Sequence, residues 1–385
     1  MRKTILIVCI VALALSAQVY LVSSAYAGKP STGEKIPWGV DRIDADKAWT
    51  VTEGNPTIKV GIIDTGVDTD HPDLETSSGI NFVDTDDYPA DPNETPTNYE
   101  DIDGHGTGLA GVIAAIKDNK IGVVGVAPKV KLYHIRVRKH SGTIFPDGYP
   151  NHNGIYDFTD LCEGVQYCID SGIQVINFSL GTWTVNSSGE RVNPYHDWQF
   201  YQKIRVAATA GIIIVGAAGN QTRRIQKFDP VPTEYLTKDY EDINKIYDFP
   251  ASYPEVIAVS ATEMRTSGKP SERGDRIASY SNYGPAIELS APGSSIYTTK
   301  INGYGYFSGT SLAAPHVVGT AALLLAKGVP NVRQMLKDTA EDLGAQGLDE
   351  YYGYGLVDAG NAVAGELAPP RQTQLSVTWG EIKVK

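Results

Sequence analysis

Short, nearly continuous hydrophobic runs alternate along the chain with longer segments of helical periodicity. Such runs are typical of strands in a parallel sheet that is covered on both faces. The predicted strands span residues 58–63, 130–137, 174–178, 212–216 and 256–260. The predicted helices span residues 105–116, 159–171, 198–210, 311–327 and 332–340. This alternation predicts an α/β fold, with a doubly wound, mostly parallel sheet and helices on both of its faces.

The N-terminus has the pattern of an export signal. Arg2 and Lys3 precede an apolar run, and Ala25-Tyr26-Ala27 forms a small-x-small cleavage site. Residues 4–22 are also just long enough for an uncleaved membrane anchor, but the cleavage site favours removal. We therefore expect a signal peptide over residues 1–27, a secreted protein, and no stable membrane association after processing.

The rest of the chain is predicted to form one domain with short extensions. An N-terminal arm over residues 28–35 precedes a single domain over residues 36–365, and the tail over residues 366–385 is too short to fold alone. Three segments rich in glycine, proline, asparagine, tyrosine and charge are expected to be surface insertions. They span residues 140–158, 182–195 and 221–247.

Composition limits the partners and the covalent chemistry. The 385 residues are 42% hydrophobic and 20% charged, which fits a soluble globular protein with a large core. The formal net charge of -12 disfavours nucleic acid and anionic membrane surfaces as partners, and we expect a monomer. Three cysteines are too few for a disulfide framework. Cys162 and Cys168 are separated along one predicted helix by a rise of about 9 Å, so we expect two unpaired thiols.

A candidate nucleophile stands at the start of the helix predicted over residues 311–327. Ser311 follows Gly309-Thr310 and precedes a long apolar run. A serine at the N-terminus of a buried helix lies near unpaired N–H groups and the positive end of the helix dipole. That environment stabilises negative charge on the hydroxyl oxygen, as an attacking serine requires. The alternative is that Ser311 is an ordinary N-cap residue.

The ends of other predicted elements supply a base and an orienting carboxylate. Asp64 directly follows a predicted strand, where reactive groups gather in open α/β sheets. His105 is flanked by Gly104 and Gly106, which allow other backbone segments to approach it closely. We expect Asp64 to accept a hydrogen bond from Nδ1 of His105, so that Nε2 takes the proton of Ser311.

A donor for a developing oxyanion follows the strand predicted over residues 212–216. The side-chain amide of Asn220 is placed to donate to such an oxygen, with the backbone N–H of Ser311 as the second donor. The alternative is that Asn220 is only a turn residue.

These motifs together resemble those of the subtilisin-like serine proteases, the subtilases. The similar segments are Ile62-Ile63-Asp64-Thr65-Gly66-Val67-Asp68, His105-Gly106-Thr107 and Gly309-Thr310-Ser311-Leu312-Ala313-Ala314-Pro315-His316. The order Asp, His, Ser is that of the subtilisins. The resemblance implies a triad of Asp64, His105 and Ser311, an oxyanion hole at Asn220 and Ser311, and cleavage of peptides or proteins through an acyl-enzyme.

The resemblance also implies where a substrate binds. Ser179, Leu180 and Gly181 would pair with the substrate backbone as an added strand. A primary specificity pocket is implied between residues 217–221 and 247–252. Its expected lining residues are Ala217, Ala218, Gly219 and Asp248.

Asp248 departs from the family pattern, which has glycine at this position. A carboxylate at the base of the pocket would favour lysine or arginine in the substrate. The alternative is that the long insertion before Asp248 shifts it outward into water.

Calcium is the cofactor that the resemblance implies. Oxygen ligands suit this ion, and two carboxylates would give the site charge. The implied ligands are Glu34, Asp73 and Asn119, with carbonyls near Ile116, Ile121 and Val123. The alternative is that Asp73 and Asn119 are turn residues.

The function expected from these features is secreted serine endopeptidase activity with broad, degradative specificity. One alternative is a processing protease with few targets, which insertions near the cleft would permit. Another alternative is an inactive binding protein with a subtilase fold. The expected triad and the oxyanion-hole asparagine are all present, which argues against it.

Overall fold

The computed structural model of the chain describes residues 33–75, 78–83, 95, 97–101, 103–137, 158–183, 198–228, 248–264 and 275–366. Its helices are α1 (Trp38–Arg42), α2 (Ala45–Ala48), α3 (His105–Ala114), α4 (Phe158–Asp170), α5 (Trp198–Thr209), α6 (Thr310–Lys327), α7 (Val332–Thr339) and α8 (Ala359–Ala364). Its strands are β1 (Lys59–Asp64), β2 (Gly79–Asn81), β3 (Lys131–Arg136), β4 (Val175–Phe178), β5 (Thr182–Trp183), β6 (Ile213–Ala217), β7 (Asp248–Phe249), β8 (Val256–Glu263), β9 (Arg276–Ile277), β10 (Ile287–Pro292), β11 (Ile296–Lys300) and β12 (Gly303–Phe307).

A central sheet organises the fold. Its strands lie in the order β10-β8-β6-β4-β1-β3-β2, and β9 pairs with β8. All neighbours along this path are parallel, while β9 is antiparallel to β8. Because β1 has β3 on one side and β4 on the other, the strand order reverses beside β1. Crevices beyond the carboxyl ends of strands at such a point are where α/β proteins bind ligands, and Asp64 is the last residue of β1.

Both faces of the sheet are covered, which explains why the strands are hydrophobic at consecutive positions. Successive side chains of a strand point to opposite faces. Ile62 packs into the cluster that contains residues of α3 and α6, whereas Ile63 packs into the cluster that contains residues of α4 and α5. The predicted α/β class with helices on both faces is therefore confirmed.

All ten predicted elements are present, with ends that differ by at most three residues. The elements that the pattern did not reveal are the short ones and the β10 to β12 region. In β10 the charged Glu288 interrupts the hydrophobic run, yet its side chain is buried and forms an ion pair with Arg333. The β11–β12 hairpin is antiparallel, and every residue of β12 is at least partly exposed, so β12 lacks a continuous hydrophobic run.

Neither of the two cysteines in the described residues forms a disulfide bond, as predicted. Cys168 is fully buried on α4 against Ile173, and burial raises the pKa of its thiol. Cys162 is half-buried on the same helix.

Several predictions concern residues outside the described ranges. These are the signal peptide over residues 1–27, most of the arm and the tail, and most of the three insertions. Within the described part, no single helix is long and apolar enough to cross a membrane. The bent pair α6 and α7, at 118°, passes that test by length and composition, but most of α6 is buried in the core. The proposed domain boundaries stay predictions.

Candidate active site

Asp64 and His105 are joined where β1 ends and α3 begins. The Asp64 side chain is fully buried, and its Oδ1 lies 2.7 Å from Nδ1 of His105. The backbone N–H of Thr65 donates to the same oxygen at 2.8 Å. Because a carboxylate only accepts hydrogen bonds, Nδ1 of His105 carries the proton, and neutral His105 then has an acceptor at Nε2.

Asp101 holds the first turn of α3 and was missed by the sequence analysis. Its Oδ1 accepts the backbone N–H of Gly104 at 2.8 Å and that of Asp103 at 3.0 Å. Its Oδ2 accepts the backbone N–H of Thr107 at 2.9 Å and the Thr107 hydroxyl at 2.6 Å. Burial alone would raise the pKa of Asp101, but these donated hydrogen bonds outweigh it and lower the pKa. The available signal was an aspartate shortly before a predicted helix start, a residue type common at such ends.

The glycine after His105 permits a close backbone approach. A Cβ on Gly106 would lie 2.2 Å from the carbonyl oxygen of Gly66. Real Cβ atoms do not come this close to backbone oxygen, so a larger residue would displace α3 from the end of β1. Gly106 therefore allows the close backbone approach that was expected beside His105, whereas Gly104 has no such backbone contact and instead adopts a left-handed conformation, with φ 95°.

Ser311 is the second residue of α6 and not its N-cap. The helix begins at Thr310, and its N-cap residue, Gly309, has no side chain with which to cap the terminus. The alternative interpretation of Ser311 as a capping serine is therefore wrong. Its backbone N–H is among the first of the helix, which have no partner within the helix.

The Ser311 hydroxyl points toward β4. It donates to the carbonyl oxygen of Ser179 at 3.1 Å. Among the described residues no hydrogen bond joins this hydroxyl to His105, although α3 and α6 pack against each other. A rotation about the Cα–Cβ bond of Ser311, between ordinary staggered rotamers, is the movement that would redirect it. Catalytic hydrogen bonds are often long or misaligned before substrate binds.

Asn220 is oriented by Thr310. Its Oδ1 accepts the backbone N–H of Thr310 at 2.8 Å and the Thr310 hydroxyl at 3.0 Å. The same hydroxyl accepts the backbone N–H of Gly219 at 3.0 Å. Because the oxygen end of the amide is engaged, the two N–H donors of Asn220 are directed away from Thr310. Thr310 is a second residue that the sequence analysis left without a role.

Apart from Asp248, the expected substrate-binding residues lie on two segments beside Ser311. Ser179, Leu180 and Gly181 lie between β4 and β5, outside both strands. Ala217 ends β6, and Ala218 and Gly219 follow it. Both backbone polar groups of Ala218 are used, since its N–H donates to Val259 at 3.0 Å and its oxygen accepts Asn282 Nδ2 at 2.7 Å.

Asn282 fixes the segment around Gly219 and was also missed. Its backbone N–H donates to the oxygen of Gly219 at 2.9 Å. Its Oδ1 accepts the backbone N–H groups of Gln221 at 3.1 Å and Arg223 at 2.9 Å. Asn282 does not follow a predicted strand in the sequence, so no local pattern marked it as a functional residue. Only folding brings it next to the segment around Gly219.

Asp248 is buried, with 2% of its surface exposed. The alternative in which the insertion moves Asp248 outward into water is therefore wrong. Burial raises the pKa of its carboxyl group well above the ordinary value, against the opposite effect of the positive charge of Arg223.

The residues expected to bind calcium come together from three segments, at the loop that follows α3. Asp73 is fully buried; its Oδ2 accepts the backbone N–H of Val123 at 2.9 Å and its Oδ1 accepts the Asn119 amide at 2.6 Å. Glu34 accepts the backbone N–H of Lys120 at 3.2 Å. The backbone N–H of Ile116 donates to the Asp73 carbonyl oxygen at 3.0 Å, and that of Ile121 donates to Asn119 Oδ1 at 3.0 Å.

This donor set fits a hard cation in part. Burial raises the pKa of Asp73, against the opposite effect of the hydrogen bonds from Val123 and Asn119. Asn119 presents its amide nitrogen, not its oxygen, to Asp73. No group of three or more His, Cys, Asp or Glu side chains in the described residues could hold a metal ion, so a site here would depend on amide and carbonyl oxygens.

Comparison with known proteins agrees with this geometry. Residues 55–355 match the subtilase family. The chain is 33% identical over 351 residues to a thermophilic serine proteinase of Bacillus sp. (strain AK1), covering 89% of this chain and 71% of the relative. It is 34% identical over 330 residues to subtilisin DY of Bacillus licheniformis, covering 84% and 97%. It is 33% identical over 331 residues to thermitase of Thermoactinomyces vulgaris, covering 85% and 95%.

The family match covers most of the chain. The structure also has an Asp–His pair at the end of a parallel strand and a serine at the start of a helix, and these findings together identify the family. The chain belongs to the subtilase family: it is a subtilisin-type serine endopeptidase, a hydrolase whose substrates are peptides or proteins.

Proposed function

We propose that this chain cleaves peptide bonds through an acyl-enzyme on Ser311, with His105 as the base and Asp64 as its orienting partner. The observation that carries this proposal is the 2.7 Å contact between Asp64 Oδ1 and His105 Nδ1 at the edge of the sheet where α6 presents Ser311. The contact fixes the tautomer of His105, so that Nε2 faces the reaction as an acceptor.

In the first half of the reaction, Ser311 Oγ attacks the substrate carbonyl while its proton passes to Nε2 of His105. The tetrahedral intermediate then collapses, the carbon–nitrogen bond breaks, and His105 returns the proton to the leaving amine. Water then repeats these steps on the ester, with His105 acting again as base and then as acid. Asp64 stays ionised throughout and stabilises the imidazolium.

The oxyanion is stabilised by Asn220 and by the start of α6. Thr310 engages the oxygen end of the Asn220 amide, which leaves its N–H groups to donate. The backbone N–H of Ser311 is the second donor, and the positive end of the α6 dipole adds to it. Preorganised donors of this kind are each worth about a hundredfold to a thousandfold in kcat.

We further propose broad, degradative specificity and secretion. Ser179, Leu180 and Gly181 lie between β4 and β5, outside both strands. Recognition of substrate backbone by such a segment tolerates many substrate sequences. Secretion is supported by the export pattern at residues 1–27. The proposed enzyme is a monomer that acts on peptides or proteins and, once processed, has neither a nucleic-acid partner nor a stable membrane association.

Calcium is proposed as a structural cofactor. Glu34, Asp73 and Asn119 would hold it, with the carbonyls of Ile116, Ile121 and Val123. When bound, the ion would offset the buried charge of Asp73 and join the N-terminal segment to the loop after α3. The full burial of the Asp73 carboxylate, which accepts hydrogen bonds from the neutral donors of Val123 and Asn119, supports this proposal.

The decisive experiment compares casein hydrolysis by the wild type and Ser311→Ala. We expect the rate to fall by about a millionfold, because loss of the nucleophile removes the acyl-enzyme route. Ser308→Ala, an exposed serine on the same turn, should keep full activity. Equal hydrolysis by the wild type and Ser311→Ala would overturn the proposal. Cleavage of casein at only one or two bonds would contradict broad specificity and favour a processing protease with few targets.

A further inference from the structure

We propose that this protein has a second binding site, remote from Ser311, for a ligand that carries a carboxylate on an apolar body. Such a ligand is either a peptide that ends in an apolar residue or a free organic acid. The site is a cavity of about 410 Å³, which lies within the range of about 300–1,000 Å³ that is typical of small-molecule sites. Its lining combines cationic side chains, one carboxylate and several apolar side chains.

This cavity lies at the opposite edge of the central sheet from the proposed catalytic residues. Pro254 precedes β8, and Ile287 and Glu288 are the first two residues of β10, so the cavity is at the amino ends of these strands. β10 and β8 are parallel to each other and, through β6 and β4, to β1. Asp64 stands at the carboxyl end of β1. A ligand in this cavity therefore does not occupy the cleft around Ser311.

Arg333 and Glu288 form a fixed part of the cavity wall. Arg333 donates to both carboxylate oxygens of Glu288, at 2.7 Å from Nε and 2.5 Å from Nη2. It also donates to the backbone oxygens of Pro254 at 3.0 Å, Glu255 at 3.2 Å and Val256 at 3.2 Å. All three nitrogens of the guanidinium group are engaged, and the two charges neutralise each other. This pair therefore shapes the cavity but leaves no net charge for a ligand.

Lys227 and Lys337 supply positive charge to the cavity. Neither lysine forms an ion pair with any acid in the part of the chain that the structure describes. Lys337 follows Arg333 by one turn of α7, so the two side chains share a face of the helix. Its Nζ lies 5.1 Å from the centre of the Tyr354 ring, which forms another part of the lining. The two amines thus create a local attraction for an anion in a chain whose formal net charge is -12.

Apolar side chains lie beside these amines. Leu348 is 62% exposed and Tyr354 is 38% exposed, and both line the cavity. Ile287 adds apolar surface from the start of β10. Exposed apolar surface with a rim of polar residues is typical of ligand-binding grooves. A ligand with an apolar body would remove this surface from water, which favours its binding.

The wall that carries Tyr354 is held in place without a ligand. The backbone N–H of Tyr354 donates to the carbonyl oxygen of Glu288 at 2.8 Å. A Cβ on Gly353 would lie 2.3 Å from the same carbonyl group, so glycine is needed for this close approach. The turn that carries Leu348 is fixed by Asp349, whose carboxylate accepts three backbone N–H groups. Walls that are already ordered reduce the entropy lost on binding.

A carboxylate with an apolar substituent matches this combination of groups. The flexible stems of the two lysines allow each ammonium group to donate a charge-assisted hydrogen bond to a carboxylate oxygen, while the substituent covers Leu348 and Tyr354. A bare inorganic anion would satisfy the amines but leave the apolar surface in water. Every cleavage by an endopeptidase creates a new C-terminal carboxylate, so the products of this family's reaction belong to the proposed ligand class.

The test measures binding by isothermal titration calorimetry in the Ser311→Ala background, which prevents cleavage of the probes. The probes are acetyl-Ala-Ala-Phe with a free carboxylate, the same peptide with a C-terminal amide, and phenylpropionate, an acid without peptide bonds. We expect the acid peptide to bind about tenfold more tightly than its amide. Equally tight binding of phenylpropionate would identify free organic acids as the ligands, and binding of the acid peptide alone would identify peptide C-termini.

Variants of the lining assign this binding to the cavity. Lys227→Gln and Lys337→Gln should each weaken binding of the acid peptide by about tenfold and leave the amide unchanged. Leu348→Ala should weaken the acid and the amide alike, because it removes apolar contact surface. Lys47→Gln removes an exposed lysine of α2, outside the cavity, and should bind the probes as the parent protein does.

Melting temperatures of the variants close to that of the parent would exclude a folding defect, and Lys227 is exposed, so Lys227→Gln should fold. Equal binding of the acid peptide and its amide, or no binding of either acid, would overturn this inference. Binding of the acid peptide that both lysine variants retain would also overturn it, because that binding would belong to another site, such as the cleft. The proposed function is tested separately by casein hydrolysis and stands or falls independently.

Discussion

Ser179 and Ser311 exchange two hydrogen bonds across the end of the sheet. The hydroxyl of Ser311 donates to the Ser179 carbonyl at 3.1 Å, and the hydroxyl of Ser179 donates to the Ser311 carbonyl at 2.8 Å. Asn177 Nδ2 in turn donates to Ser179 Oγ at 2.9 Å. The proposed nucleophile is thus tied to the segment proposed to bind substrate, through its main chain as well as its side chain.

Replacing Ser179 by alanine should therefore affect both stability and turnover. In this variant the buried amide of Asn177 loses its hydrogen-bond acceptor, and the carbonyl of Ser311 loses the hydroxyl that donates to it. We expect a loss of about 1–3 kcal/mol in the free energy of unfolding and a fall in kcat of roughly tenfold with little change in KM. Urea unfolding, measured in a Ser311→Ala background to prevent autolysis, and peptide kinetics check these values.

Ser290→Ala is the control for Ser179→Ala. The Ser290 hydroxyl is buried and has no partner among the described residues, so its removal should not destabilise the protein. Equal stabilities of the two variants would mean that the Ser179–Ser311 bonds contribute nothing.

Thr310 should act through Asn220. Thr310→Val keeps the shape of the side chain but removes the hydroxyl that binds Asn220 and Gly219. We expect kcat to fall by about tenfold, which is less than the hundredfold to thousandfold expected when the Asn220 donor itself is lost in Asn220→Ala. Thr310→Ser retains the hydroxyl and should retain activity. A fall of equal size in Thr310→Ser would show that the methyl group, not the hydrogen bonds, is what matters.

Asp101 should position His105 without touching substrate. Asn at this position keeps one acceptor oxygen, but its amide nitrogen would face N–H donors at the start of α3. We expect Asp101→Asn to lose about 2 kcal/mol of stability, to lower kcat, and to shift the acidic limb of the pH–kcat profile. Asp103→Asn, an exposed neighbour, is the control. An unchanged pH profile would reduce Asp101 to a purely structural role.

His134 should make the fold sensitive to acid. It is buried in β3, and neither ring nitrogen has a hydrogen-bond partner among the described residues. Burial lowers its pKa from 6.5 to about 3, although the charge of Asp101 acts in the opposite direction. Because the folded-state pKa is the lower one, the unfolded chain binds the proton first. The stability that neutral His134 contributes is complete above pH 6.5 and is lost as the pH falls from 6.5 toward 3.

The corresponding loss at pH 4.5 is about 2–3 kcal/mol. Urea midpoints at pH 7.5 and 4.5 should therefore differ less in His134→Leu than in the wild type, both in the Ser311→Ala background. His316, whose pKa burial lowers to about 4, contributes in both proteins and cancels. The same pH dependence in the two proteins would contradict the assignment to His134.

Removal of calcium should lower the melting temperature. A ligand present at a thousandfold excess over its Kd stabilises the folded state by about 4 kcal/mol, and EDTA would withdraw that amount. Asp73→Asn should melt at a lower temperature and respond little to EDTA. Asp118→Asn, an exposed residue of the same loop, should respond as the wild type does. A wild type whose melting temperature EDTA does not change would argue against the proposed cofactor.

Local patterns predicted the strongly periodic parts of the fold. Hydrophobic runs such as that of β1 are encoded by neighbouring residues, so the ten main elements could be placed to within three residues. The short elements and β10 could not be placed from local patterns. In β10, Glu288 breaks the hydrophobic pattern because its stabilising partner, Arg333, lies in a helix far along the chain.

The sequence by itself determined the family, the α/β architecture and the residue types that stand at the ends of its elements. Asp64, His105 and Ser311 occur at such ends, and the rule that parallel strands present their carboxyl ends at one edge was enough to group them as a hypothesis. Only the tertiary structure decided that Asp248 is buried between Gly181 and Gly219, and that Thr310 and Asn282 orient the neighbouring segment. The physical reason is that burial and hydrogen bonding depend on contacts between residues far apart in the chain, which no local pattern encodes.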